Sequence, residues 1–247
     1  MAAAIKLQKA AGRRHAARFL AEGPNLVEAA LRRGVVEDVF VTEDAAVRFA
    51  SLLSESSVHL VTERAAKLLS DTVTPVGLVA VCRQPEVSLA EVLGDAPRLI
   101  AVAVETADPG NAGNLIRVAD AMGADALILA GNSVDPYNPK CLRSSAGSIF
   151  SVPVIEAPDT LGLIAELVRA ELVVMASTLD GETSLDDVNL GVATAWLFGS
   201  EAHGLSDEVA AAAGVRVRIP MAGGAESLNV AAAAAICLYQ TAAAHRS

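Results

Sequence analysis

Near-continuous aliphatic runs recur along the whole chain, and nearly every one is followed by a stretch with helical spacing. This alternation constrains the fold more than any other feature. Ten runs stand out: ARFLAEG, VEDVFVT, VHLVT, GLVAVCR, RLIAVAVE, ALILAG, VPVIEA, LVVMAST, TAWLFGS and VRVRIP. Helical patterns between them include NLVEAALRR, RAAKLLS, NLIRVADAM, TLGLIAELVRA and the closing SLNVAAAAAICLYQTAAA. Repeated strand–helix units predict an α/β fold with a mostly parallel sheet covered by helices. Runs of Val, Ile and Leu without polar alternation predict strands buried on both faces. Aromatics make up only 3% of the 247 residues, so the core must be aliphatic and rich in alanine.

The pattern breaks once, at RQPEVSLAEVLGDAPR, where Pro85, Gly94 and Pro97 interrupt it. This predicts a linker over 85–97 between a domain at 1–84 and a larger one at 98–247. Cys82, Cys141 and Cys237 are odd in number and lie far apart, which argues against a disulfide framework or a zinc site and for a reducing, cytoplasmic setting. No apolar stretch reaches the length of a membrane span, and Lys6 and Lys9 interrupt the N-terminal apolar run, so a secretory signal is not expected. The net charge of -10 is unevenly spread: residues 1–33 hold seven basic and two acidic side chains. Arg13, Arg14 and Arg18 are therefore candidates for an arm that binds a polyanion, the alternative being an ordinary solvated helix.

Ligands of open parallel sheets bind beyond the carboxyl ends of the strands. Three polar, glycine-rich segments follow predicted strands in the larger domain. In the first, DPGNAGNLIRVADAMGADALIL, a loop leads into a helix that carries Arg117. The second, LFGSEAHGLS, has Ser206 placed to cap the next helix, and a lone His203 without an evident carboxylate partner. The third is IPMAGGAESLNVAAAAAICLYQ, where Pro220 ends a strand and Ser227 is a plausible N-cap, with Asn229 in the first turn. No G-x-G-x-x-G fingerprint is present, which weighs against a doubly wound oxidoreductase.

In this order and spacing, the three segments closely resemble the signature motifs of the SpoU/TrmH RNA 2′-O-ribose methyltransferases of the SPOUT class. The resemblance extends over nearly the whole chain. RRHAARFLAEGPNLVEAALRRG and LLSDTVTPVGLVAVCRQP are similar to that family's small α/β substrate-binding domain, itself like RNA-binding ribosomal proteins. The resemblance implies a deep trefoil knot near 194–239, S-adenosylmethionine as cofactor, no metal, and a homodimer with the site at the subunit interface. It implies cofactor contacts from Gly199, Ile219 and Leu228, and a catalytic set of Asn111, Arg117, Glu201, Ser227 and Asn229, with Arg117 hydrogen-bonded to Asn111. Arg143 matches an arginine after the first motif and is a candidate phosphate contact. Ribosomal RNA is the expected substrate. The alternatives are transfer RNA or a non-catalytic RNA-binding homologue. One departure is Ala231, where the family usually has serine.

Overall fold

The computed structural model describes residues 1–54 and 57–246. Their contacts divide the chain into two compact units, Met1–Glu86 with Asp135–Phe150, and Val87–Val134 with Ser151 onward.

In the first unit the strands are β1 (Arg18–Glu22), β2 (Val36–Val41), β3 (Val58–Leu60) and β4 (Leu78–Arg83). Their order is β1-β4-β2-β3. Central β4 runs antiparallel to β1 and β2, while β2 and β3 are parallel. Leu78 to Cys82 are all buried, as a central strand requires. The fully buried Phe19 ring sits 4.6 Å from the Tyr137 ring and 5.9 Å from the Phe150 ring. These contacts explain why Asp135–Phe150 belongs to this unit, whereas the sequence predicts an unbroken domain over 98–247.

Arg13 corrects a second expectation. It is only 3% exposed. Its guanidinium donates to Asp135 Oδ2 at 2.6 and 2.9 Å and to the Leu7 and Gln8 carbonyls at 3.0 and 3.1 Å. It is a buried strut, not a surface charge open to a polyanion. Arg18 is exposed but paired with Glu37, and Arg143 is paired with Asp71 at 3.1 Å. Arg14, Lys6 and Lys9 are exposed and make no ion pair among the described residues.

In the second unit the strands are β5 (Leu99–Val104), β6 (Ala126–Ala130), β7 (Val154–Ala157), β8 (Val173–Ser177), β9 (Thr183–Ser184), β10 (Thr194–Phe198) and β11 (Val215–Arg218). They form a sheet of order β7-β6-β5-β10-β8-β11-β9, and every pairing is parallel. All ten aliphatic runs lie on strands; only two-residue β9, polar and at the sheet edge, has no signal in the sequence. Strands β5, β6 and β10 are buried along their whole length, as parallel strands covered on both faces must be.

The expected linker is mostly ordered. It holds a helix, Leu89–Gly94, opened by a reciprocal cap between Ser88 and Glu91. Val92 of that helix is buried in the core with Ile100, Val102 and Leu197. The closing helix, Val230–His245, packs on the helix Pro109–Met122 and on β5 and β10. Buried Trp196 donates through Nε1 to Thr241 Oγ1 at 2.9 Å, so its polar edge is satisfied inside the core. All three cysteines are buried, and burial pushes the Cys82 and Cys237 thiols up to about 12. Among the described residues no helix is long and apolar enough to cross a membrane.

Replacing Arg13 with Ala leaves the half-buried Asp135 carboxylate and the Leu7 and Gln8 carbonyls without their guanidinium partner. Removing one partner of a buried pair costs about 3–5 kcal/mol. Urea denaturation should show a loss of that size for Arg13→Ala and a change near zero for Arg14→Ala. Equal, small losses for both would contradict the strut.

Candidate active site

The functional end of the second unit lies beyond the carboxyl ends of β5, β10 and β11. After β5, Asp108 caps the helix Pro109–Met122 by accepting from Asn111 N at 3.0 Å, and Pro109 occupies its first position. The glycine-rich stretch expected as a loop is therefore the first turns of the helix itself. Ala112 and Gly113 are buried on it, while Asn111 lies on the partly exposed side.

After β10 the chain folds back sharply. Ser200 and Gly204 exchange backbone hydrogen bonds of 3.2 and 2.8 Å, and Gly204 has φ +68°. Glu201, Ala202 and His203 form the tip of this turn and are exposed. A Cβ at Gly199 would meet the Gly204 carbonyl carbon at 2.2 Å. Glycine is thus demanded there by the turn closing on the strand end. Ser206 then caps the helix Asp207–Ala212 through Val209 N, as expected.

After β11 the segment Pro220–Asn229 is exposed throughout. No residue from Met221 to Leu228 makes a hydrogen bond among the described residues. Its N–H and C=O groups serve neither strand nor helix, so they face solvent or a ligand. The expectation that Ser227 caps the closing helix does not hold. Asn229 is the N-cap: its Oδ1 accepts from Ala231 N at 2.9 Å.

That cap fixes the orientation of the Asn229 amide, and its Nδ2 is shared. It donates to Glu201 Oε1 at 2.5 Å and to Asn111 Oδ1 at 3.3 Å. Three strand-end segments thus meet at one amide group. Arg117 stands apart. It is exposed and makes no hydrogen bond or ion pair among the described residues. Six residues along a helix separate it from Asn111 by about 9 Å of axial rise and roughly 120° around the axis, so the expected Arg117–Asn111 bond does not form.

Beside the amide network lies a cleft of about 1000 Å³. Gly199, Ile219 and Leu228 line it, together with Glu201, Ser227 and Asn229. Leu228 and Met221 are partly exposed on its wall, 38% and 37%, an apolar surface suited to a flat ring. Size, exposed backbone groups and apolar wall together fit a cofactor of nucleoside dimensions. Another part of the lining has no counterpart among the expected residues. It is the loop after β8, with Thr178, Leu179 and Asp180, and Arg216 of β11. Arg216 donates to Asp180 Oδ2 at 2.6 Å and to Glu182 Oε1 at 3.2 Å. The bond to Asp180 holds that carboxyl below its usual range and raises the Arg216 guanidinium. The signal for this wall is STLDGE directly after an aliphatic run, another glycine-bearing segment at a strand's carboxyl end.

Residues 98–239 match the SpoU rRNA Methylase family, and residues 3–80 match the MRM3-like substrate binding domain. The chain belongs to the SpoU rRNA methylase family. Within it, a Bacillus subtilis relative is 33% identical over 222 residues, covering 90% of this chain and 87% of that one; it is named 23S rRNA (guanosine(2553)-2′-O)-methyltransferase RlmP. A crystal structure described as an RNA 2′-O ribose methyltransferase superposes with a TM-score of 0.85 at 35% identity, over 99% of this chain and 95% of its own. The SpoU methyltransferase AviRb of Streptomyces viridochromogenes, solved with the cofactor AdoMet, superposes with a TM-score of 0.84 at 31% identity, over 96% and 94%.

Loss of the Asn229 side chain should remove the cap of this SpoU-family closing helix, at about 1 kcal/mol for Asn229→Ala. Asn229→Asp keeps a cap acceptor but sets a carboxylate against Glu201. Its destabilisation should shrink when it is combined with Glu201→Gln. Urea denaturation of the three variants checks this, and a costless Asn229→Ala would show that the cap carries nothing.

Proposed function

We propose that this chain transfers a methyl group from S-adenosylmethionine to a ribose 2′-hydroxyl of RNA, with ribosomal RNA as the substrate. The observation that carries the reading is the meeting of Asn111, Glu201 and Asn229 beside a cleft lined by Gly199, Ile219 and Leu228. Names of relatives support the substrate, since two that match over nearly the full chain are named for 23S rRNA or for RNA 2′-O ribose methylation. An AdoMet-bound neighbour supports the cofactor.

When bound, S-adenosylmethionine supplies an electrophilic methyl group on its sulfonium. The exposed backbone of Met221–Leu228 would read its adenine edge, with Leu228 and Ile219 against the ring. The 2′-hydroxyl is a poor nucleophile until its proton leaves, so the site must favour the alkoxide. Arg117, exposed and unpaired among the described residues, has a permanent charge and a fork that suits phosphate. It holds the phosphate beside the target ribose and stabilises the developing alkoxide. Asn229, with its orientation set by Ala231 N, aligns Glu201 and Asn111 toward the ribose. Ala231 contributes through its amide, so a hydroxyl is not needed there for the cap. Ser227, exposed at the cleft, contacts the ribose or the cofactor.

We read the stretch near 194–239 as a trefoil knot. In support, β10 is central, β11 lies beyond β8, and the closing helix returns to β5 and β10. Its small alanines let backbones pass closely. A homodimer with the site at its interface accounts for Arg117 lying outside the Asn229 network, and for Ile236 and Tyr239, 37% and 55% exposed on the closing helix. We read the setting as cytoplasmic, and the bacterial relative named for 23S rRNA supports this. In the first unit, Lys6, Lys9 and Arg14 replace Arg13 as the charges that meet RNA phosphates, joined by Arg143 and by Arg18 once Glu37 releases it.

Labelled S-adenosylmethionine with rRNA lacking the modification should give 2′-O-methyl label in 23S rRNA. Arg117→Ala should abolish transfer while donor affinity stays within a few-fold, by calorimetry. Label in transfer RNA alone would overturn the substrate, and donor binding without transfer to any RNA would mark a non-catalytic homologue. Changing Lys6, Lys9 and Arg14 to Glu should weaken RNA binding and lower the slope of log affinity against log salt by about one for each phosphate no longer neutralised. An unchanged slope would return those residues to a solvated surface.

A further inference from the structure

The two walls of the cleft are tied together through β11. One is the loop after β8, whose Thr178, Leu179 and Asp180 line the cleft; the other is the exposed segment that leaves β11 at Ile219. Thr178 N donates to Val217 O at 3.0 Å. Arg218 donates from one nitrogen to the carbonyls of Gly181 and Glu182, both at 2.8 Å. Arg216 reaches the carboxylates of Asp180 and Glu182. Gly181 lies so close to β11 that a Cβ would meet Arg218 N and Val217 C at 2.6 Å. Two arginines at alternate positions of one strand, and a glycine that admits no side chain, thus clamp the loop.

As a device for stability this is poor. Asp180 and Glu182 are largely exposed, 77% and 69%, and exposed ion pairs return little. Arg216 Nε is buried with no hydrogen-bond partner among the described residues, which costs stability. Thr178 and Arg216 line the cleft, and Leu179 between Thr178 and Asp180 is 68% exposed on it. A costly clamp beside a ligand cleft points to positioning.

We propose that Arg216 is a positioning residue for the cofactor, holding the Thr178–Glu182 wall at a fixed distance from the Ile219–Asn229 wall. It acts through Asp180 and Glu182 and has no part in proton removal. The inference rests on the reading of the cleft as the S-adenosylmethionine site.

The test is donor binding by calorimetry, with KM and kcat for methyl transfer at saturating RNA. Wild-type protein is titrated first. Arg216→Ala should raise Kd and KM for S-adenosylmethionine roughly ten- to a hundredfold, the scale expected when a group that positions a ligand is removed, with kcat at saturation little changed. Arg216→Lys, which keeps one bond of the fork, should recover part of the loss. The double change Asp180→Asn with Glu182→Gln removes the charges at constant size and should reproduce the KM effect if Arg216→Ala fails to fold. Hydrogen exchange at Thr178–Glu182 should quicken in these variants. Unchanged Kd and KM, or a fall in kcat at constant KM, would overturn the proposal. If wild-type protein binds no S-adenosylmethionine, the cleft reading itself falls, and this inference with it. Wild-type binding with unaltered variants defeats the clamp alone.

Discussion

The Asn229 amide sits where the closing helix begins, and three separate strand-end segments depend on its orientation. Its oxygen is committed to Ala231 N, which leaves its nitrogen to face Glu201 and Asn111. A cap that held only the helix could be Ser, Thr or Asp equally well. A cap that must also donate twice can only be an amide. The same residue therefore starts the helix and sets the polar network, so the site cannot shift without loosening the helix.

The sheet makes that meeting possible. Every pairing in the second unit is parallel, so β5, β10 and β11 deliver their following segments to one edge. Strand β10 is buried along its length between β5 and β8, and the turn at Gly199–Gly204 therefore starts from a fixed point. The closing helix packs on β5, β10 and the helix that carries Asn111. Core packing and site geometry are thus one arrangement, with the cleft beside the segment Met221–Leu228, whose backbone groups make no hydrogen bond among the described residues.

Much of this is legible in the sequence because parallel, doubly covered strands write themselves as unbroken aliphatic runs. Polar residues at their ends mark the site. What escapes is whatever depends on partners distant in sequence. Arg13 reads as a surface charge until Asp135, more than a hundred residues away, closes over it. Asp135–Phe150 reads as part of the larger domain because the affinity of Tyr137 and Phe150 for Phe19 leaves no local trace. Ser227 and Asn229 are both good caps by type, and only the course of the preceding loop selects the second. The Arg216 wall is hidden for another reason: Asp180, Gly181 and Glu182 look like an ordinary turn.

The claim at the centre is that Asn111 and Asn229 work as one unit in methyl transfer. A double-mutant cycle on the transfer rate to 23S rRNA, using Asn111→Ala, Asn229→Ala and the pair at saturating donor, tests it most directly. Coupling through the shared hydrogen bond predicts that the pair loses clearly less than the sum of the single free-energy losses. Strictly additive losses would show that the two side chains act independently and would contradict the network.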